Sequence, residues 1–152
     1  MYLIVALQRK IVYYRIKNTN AMKKKKDPIA EARRYVDNAR KTLNDNGELD
    51  LETKLYQDEK YVRAAGNYLW LGVLMALDAV FHVRKDRRTR VDINNYLEAV
   101  GKRDRKLLSY VNSGYDVMHL SMNYDGIPAK EVSDGGFRIA NAIIDRCEKM
   151  MS

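Results

Sequence analysis

The sequence predicts an all-α protein, an antiparallel four-helix bundle with one short extra helix, and three observations carry that expectation. Apolar residues recur at spacings of three and four between capping and turn signals over residues 27–150. The stretch AAGNYLWLGVLMALDAVF, residues 64–81, is apolar nearly all round, which in a soluble protein marks the central helix of a bundle. Composition agrees: charged residues make up 32%, there are 2 Pro, and 11 Tyr stand against 2 Phe, a profile that suits helices with half-wet aromatic edges better than a sheet sandwich. At 152 residues the chain is one domain's length. A domain of that size buries roughly 70% of its unfolded surface, enough for a core without metal or disulfide.

Each element has its own signal. Asp27-Pro28 is a cap followed by a proline at the first helical position, and Ile29, Ala32, Val36, Ala39 and Leu43 follow on one face, so a helix is expected over about 28–44. The run NDNGELD after it is turn chemistry, with Gly47 available for positive φ. A second helix is expected to begin between Leu51 and Asp58 and to reach about Val83. Its small residues Ala64, Ala65, Gly66, Gly72, Ala76 and Ala79 let neighbours come close. A membrane span competes for this stretch, but Asn67, Asp78 and His82 lie inside it or at its edge, and an Asp costs roughly 2.5–3.5 kcal/mol at mid-bilayer. No membrane partner is expected.

RKDRRTR, residues 84–90, is a polar connection. Asp92 then caps a short segment carrying Ile93, Tyr96, Leu97 and Val100, closed by Gly101. From Lys102 a longer helix is expected to carry Leu107, Leu108, Val111, Tyr115, Met118 and Met122 along one face and to stop at the turn YDGIP, where Gly126 and Pro128 break the period. A last helix over about 130–150 turns Val132, Ile139, Ala140, Ile143, Ile144 and Cys147 inward, with Gly135-Gly136 weakening its first turns enough to delay its start.

Charge divides the chain into a basic arm, residues 1–26, and a single domain, residues 27–152. The arm holds Arg9, Lys10, Arg15, Lys17 and Lys23 to Lys26 and no acid, leaving 20 basic and 20 acidic side chains for the body. The +8 net charge therefore describes the arm, and overall charge gives no support to nucleic-acid binding by the folded part. The apolar run from Tyr2 to Leu7 precedes its charges and is too short for a signal-peptide core, and residues 8–20 show no clean period, so the arm is expected to be poorly ordered. Met22 followed by KKKKDP reads as a protein start, which makes residues 1–21 an upstream extension of the reading frame; the competing reading is a basic arm for nucleic acid or anionic lipid. The single Cys147 excludes an intrachain disulfide and fits a reducing compartment, so a cytoplasmic location is expected.

Three constellations are candidates for chemistry. Asp78 with His82 and Asp116 with His119 are each spaced to share a helix face, and two such pairs facing each other would resemble a metal site in a bundle; the competing reading gives His82 to its helix end and Asp78 to a neighbouring donor. Arg84, Lys85, Arg87, Arg88 and Arg90, with Lys102, Arg103, Arg105 and Lys106, form a phosphate-binding face if the helix ends gather them, although Asp86, Asp92 and Asp104 dilute it. YDVMHLSMNYDG, residues 115–126, surrounds His119 with aromatic and Met side chains, as core or as a groove lined by Tyr115, Met122 and Tyr124. No glycine-rich phosphate loop, nucleophile elbow or HExxH is present, so neither a catalytic residue nor a cofactor is assigned.

The runs ARRYVDNARKTL, YVRAAGNYLWLGVLMALDAVF, LLSYVNSGYDVMHLSMNYDG and FRIANAIIDR resemble a small bacterial family of unknown function with the look of the HEPN four-helix bundles, over about residues 27–150. That resemblance implies a HEPN-like bundle, homodimers, and binding of RNA, nucleotide or a partner protein. HEPN ribonucleases carry an Arg followed by a His after four to six residues; here the nearest upstream Arg of His119 is Arg105 and that of His82 is Arg63, so their active site is missing. The expected function is a non-enzymatic binding or interaction module, the alternative an RNA-binding HEPN-like protein or toxin and antitoxin component with ribonuclease activity.

Overall fold

Helix α1, Pro28–Asn46, begins where the sequence places it, in a computed structural model that describes residues 4–12, 26–86, 88 and 90–152. The Asp27 carboxylate accepts the Ile29 N–H at 3.0 Å, Pro28 supplies a preset φ, and Ile29, Ala32, Val36, Ala39 and Leu43 are all buried. The chain leaves α1 differently from expectation. Gly47 keeps φ at −73° and Glu48 takes the left-handed conformation at φ 52°. Gly47 is required for space instead, since a Cβ there would stand 2.7 Å from the Leu43 carbonyl and 2.8 Å from the Tyr56 ring.

Residues read as turn and helix entry form a small hairpin, β1 (Leu49–Asp50) and β2 (Leu55–Tyr56), with Leu49 opposite Tyr56. Asp50 Oδ1 accepts the N–H groups of Glu52 and Thr53, and Tyr56 N donates to the Pro128 carbonyl at 2.9 Å, which ties the hairpin to the start of the last helix. Helix α2, Glu59–Phe81, therefore starts at the Asp58 cap and ends at His82, which is left-handed at φ 51°. It buries Val62, Ala65, Leu69, Trp70, Val73, Ala76, Leu77 and Val80 and packs on α1, the last helix and the 115–124 segment. A Cβ on Gly72 would lie 2.9 Å from the Ala32 carbonyl of α1, so the glycine sets that approach. By length and composition α2 could cross a membrane, yet 50% of its most apolar stretch is buried in this fold.

Helix α3, Ile93–Gly101, opens with a reciprocal capping box between Asp92 and Asn95. The expected long helix from Lys102 is two elements. Asp104 starts α4, Arg105–Gly114, by accepting Leu107 N–H, and also receives Arg146 Nε at 2.5 Å and Nη2 at 3.0 Å from the last helix. At Tyr115 the helix widens into a π-helix, Tyr115–Tyr124, with Met118 and Met122 fully buried. Glycines admit it: a Cβ on Gly66 of α2 would stand 2.7 Å from the Met118 carbonyl, and one on Gly136 would stand 2.7 Å from Met122 Sδ.

Helix α5, Lys130–Met151, runs through both glycines without delay. Gly136 is there to let α5 approach the methionines, which offsets its poor propensity. Ala140, Ile143, Ile144 and Cys147 are buried, whereas Val132 and Ile139 are half-buried beside the core. The fold is mostly helical, with helices around α2 and one two-stranded hairpin among the described residues. Residues 4–12 are helical and exposed, where the sequence promised no regular period; the rest of the arm before Lys26 lies outside the described residues.

Candidate functional site

A cleft of about 380 Å³ opens between α2, α3 and the π-helix. Trp70 and Leu74 form its α2 wall, Tyr115 and His119 come from the π-helix, Ile93 and Tyr96 from α3, and Arg90, Val91 and Asp92 from the segment entering α3. The rings pack on one another: Tyr115 and His119 have centroids 5.1 Å apart at 31°, His119 and Trp70 6.0 Å at 37°, and Trp70 and Tyr115 5.7 Å at 66°. Short π-helical stretches are rare and concentrate at functional sites, and this one carries two of the three rings.

The polar groups of the cleft differ in whether they are satisfied. Tyr96 donates its hydroxyl to Asp78, 3.0 Å from both carboxylate oxygens, and Asp78 also accepts the Arg84 N–H at 3.1 Å. Burial first, then the Asp78 charge and that hydrogen bond, pushes the Tyr96 phenol far above its usual range, so Tyr96 is a locked neutral donor. Asp92 is occupied by the α3 amides of Asn94 and Asn95. His119 is not satisfied: its Nδ1 is shut off from water and has no hydrogen-bond partner. A buried ring nitrogen left unpaired costs about 1–3 kcal/mol. Arg90 is exposed at the rim and supplies a cation. The cleft wall is thus largely aromatic and aliphatic, with the His119 imidazole in it and Arg90 and Asp92 of opposite charge at its edge.

The sequence candidates separate. Asp78, Tyr115 and His119 belong to this cleft, Asp78 through Tyr96. His82 does not, because its left-handed cap conformation carries it to a neighbouring depression with Phe81, Lys85 and Lys102. Asp116 is exposed beside Arg105 and Ser109, so the two Asp/His pairs do not converge, and among the described residues no group of three His, Cys, Asp or Glu could hold a metal. Tyr124 is 75% exposed and outside the cleft. Its carbonyl accepts from Arg63, which also reaches the carbonyls of Asn123 and Asp125 and closes the π-helix from α2.

Among the arginines, Arg84 and Arg88 are exposed on the connection, Arg84 fixed by its N–H to Asp78 and Arg88 by its N–H to Asp86. Arg103 is exposed as well but lies over the Phe81 ring at 5.1 Å and donates to the Val80 carbonyl, so it closes the α2 terminus. Arg87 lies outside the described residues. Cys147 is buried, and burial pushes its thiol up to about 12, which leaves it inert.

Sequence reasoning missed Trp70 and Ile93 as cleft residues. Trp70 was hidden by the all-apolar stretch around it, and only its being the single Trp of the chain set it apart.

The family model described as a domain of unknown function, DUF5618, matches residues 27–149. A solved structure of a protein of unknown function from Dyadobacter fermentans is similar at 37% identity and a TM-score of 0.72, covering 82% of this chain and 96% of that one. No curated protein matches the chain.

Proposed function

The chain belongs to this family of domains of unknown function, and from that premise we propose that it is a non-enzymatic binding module whose ligand site is the Trp70, Tyr115 and His119 cleft. The observation that carries the reading is the aromatic wall of the cleft, where the rings of Trp70, Tyr115 and His119 pack with centroids 5.1 to 6.0 Å apart. A planar ring fits beside those side chains, and an anionic substituent on it meets Arg90 at the rim. Locked hydrogen bonds on Tyr96 and Asp78 and the inert Cys147 favour binding over chemistry.

Trp70, the only Trp, reports the site directly. Titration with benzoate, nicotinate and related ring carboxylates should give saturable changes in its emission that weaken about tenfold or more in His119→Ala, the cost of roughly one charge-assisted or buried hydrogen bond. No response from any ring compound would end the proposal.

The fold we favour is a HEPN-like four-helix bundle of α1, α2, α4 with its π-helical continuation, and α5, with α3 as the short extra helix. A homodimer in the cytoplasm follows as a proposal from the same resemblance; the half-covered outer face of α2, with Leu71 40% exposed, supports it. Light scattering of wild type and Leu71→Glu tests the dimer.

An RNA-binding role, with or without ribonuclease activity, is the second reading. It is favoured by Arg84, Arg88 and Arg90 on the segment that runs into the cleft. Salt-dependent binding of single-stranded RNA that is lost in Arg88→Glu with Arg90→Glu would support it, and no binding at low salt would sink it.

A further inference from the structure

We infer that the helical segment at residues 4–12 is an anchor for an anionic lipid surface. At 100° per residue Ile4, Leu7 and Ile11 share one arc that Val5 and Val12 extend, with only Gln8 interrupting it, while Arg9 and Lys10 fall at its two borders. The five aliphatic side chains are between 46% and 64% exposed, and none of them packs against the core. Among the described residues, this apolar helix face has no part of the core beneath it.

Charge identifies the occupant. The first 26 residues carry 8 basic side chains and no acid, against a body that is neutral. A phosphate backbone would use the charges and leave five branched aliphatics in water. The neutral body would use the aliphatics and leave the charges idle. An anionic bilayer surface uses both at once, with the apolar arc in the acyl boundary and basic groups at headgroup level, and two weak signals together are what stable peripheral attachment requires. Within residues 1–26, Arg9, Lys10, Arg15 and Lys17 interrupt any run of 18 apolar residues, so the segment is assigned to the surface of the bilayer.

The segment also lies outside residues 27–149, the part shared with the family. Attachment is therefore an addition to the cleft domain that holds it at a membrane surface, and it departs from the expectation of no membrane partner.

Flotation of the full chain tests this with vesicles of phosphatidylcholine alone and of phosphatidylcholine with phosphatidylglycerol. The protein should float only with the anionic vesicles. Leu7→Asn with Ile11→Asn should weaken partitioning about tenfold or more through the lost apolar burial, and each of Lys23 to Lys26 changed to Gln should weaken it about fivefold. Circular dichroism of these variants should keep the wild-type melting curve, since none of the aliphatics packs on the core. Absence of flotation, equal flotation with neutral vesicles, or unchanged flotation of the Leu7/Ile11 variant would each overturn the inference. So would RNA binding by the arm that displaces vesicles and survives Leu7→Asn with Ile11→Asn.

Discussion

Gly66→Ala and Gly135→Ala are the same chemical change in two helix interiors, and the structure predicts opposite signs. In an open helical site the change gains about 1 kcal/mol from propensity. Gly135 is such a site, since its new Cβ would meet only Arg138 Nη2, at 3.8 Å. At Gly66 the Cβ would stand 2.6 Å from Met122 Cβ, 2.7 Å from the Met118 carbonyl and 2.8 Å from Asn123 N. Two of those three atoms are backbone of the π-helix, so no rotamer relieves the clash. Overpacking costs typically 1–3 kcal/mol, and backbone obstacles place this case at the upper end, about 2 kcal/mol net after the propensity gain. For a chain of this size that is a fall of about 4–8 °C in Tm, against a rise of about 2–4 °C for Gly135→Ala. Thermal and urea unfolding followed by circular dichroism measure both. Because the π-helix carries Tyr115 and His119, the Gly66 variant should also shift the native Trp70 emission. A Gly66→Ala protein as stable as wild type would refute the claim that glycine-mediated contact holds the π-helix in place.

Three further outcomes follow from named groups. Tyr96→Phe removes the donor to Asp78 and should cost about 1–2 kcal/mol. Because the folded Tyr96 phenol titrates above its unfolded value, its contribution is complete below about pH 10 and is lost as pH rises further; the urea midpoint of wild type should fall there more steeply than that of the variant. Cys147 is likewise raised, to about 12, so its contribution is complete below its unfolded value and declines with rising pH. Ellman's reagent should accordingly label the unfolded protein at once and the native protein only at its opening rate. Asp104→Ala removes the α4 cap and the partner of Arg146, for a loss of about 1–2 kcal/mol by urea titration. The Asp104 carboxylate is held below its usual range, chiefly by the Arg146 hydrogen bond, so its contribution is present above about pH 4 and should disappear on acidification only in wild type.

The parts of the fold legible in the sequence are those with local causes. Asp27-Pro28, Asp92 and the residues Ile29 to Leu43 at helical spacing place α1 and α3 within two residues, because caps and period act over one or two turns. The hairpin at Leu49–Tyr56 was not legible: two-residue strands carry no period, and besides pairing with each other they are tied down by Tyr56 N–H to the Pro128 carbonyl and Lys130 N–H to the Lys54 carbonyl, far along the chain. Neither was the π-helix, since Val111, Tyr115, Met118 and Met122 fit an ordinary helical face, and what surrounds them is Gly66, Gly136 and Arg63 from other elements. Within the cleft, Tyr115, His119 and Asp78 were legible as unusual residues. Their partners Trp70 and Ile93 were not, because which faces meet is decided by packing. His82 caps the end of α2, as the reading that gave it to its helix end expected, and the left-handed turn there keeps it out of the cleft.

The chain has 2 His, which makes the imidazole nitrogens directly countable by two-dimensional proton–nitrogen NMR. His119 lies in the cleft with an unpaired Nδ1, and His82 lies outside it as an exposed internal control. If the cleft is the ligand site, saturation with a ring carboxylate that changes Trp70 emission should move the His119 Nδ1 resonance and leave both His82 nitrogens in place. Unchanged His119 resonances in a protein that demonstrably binds the compound would contradict the account.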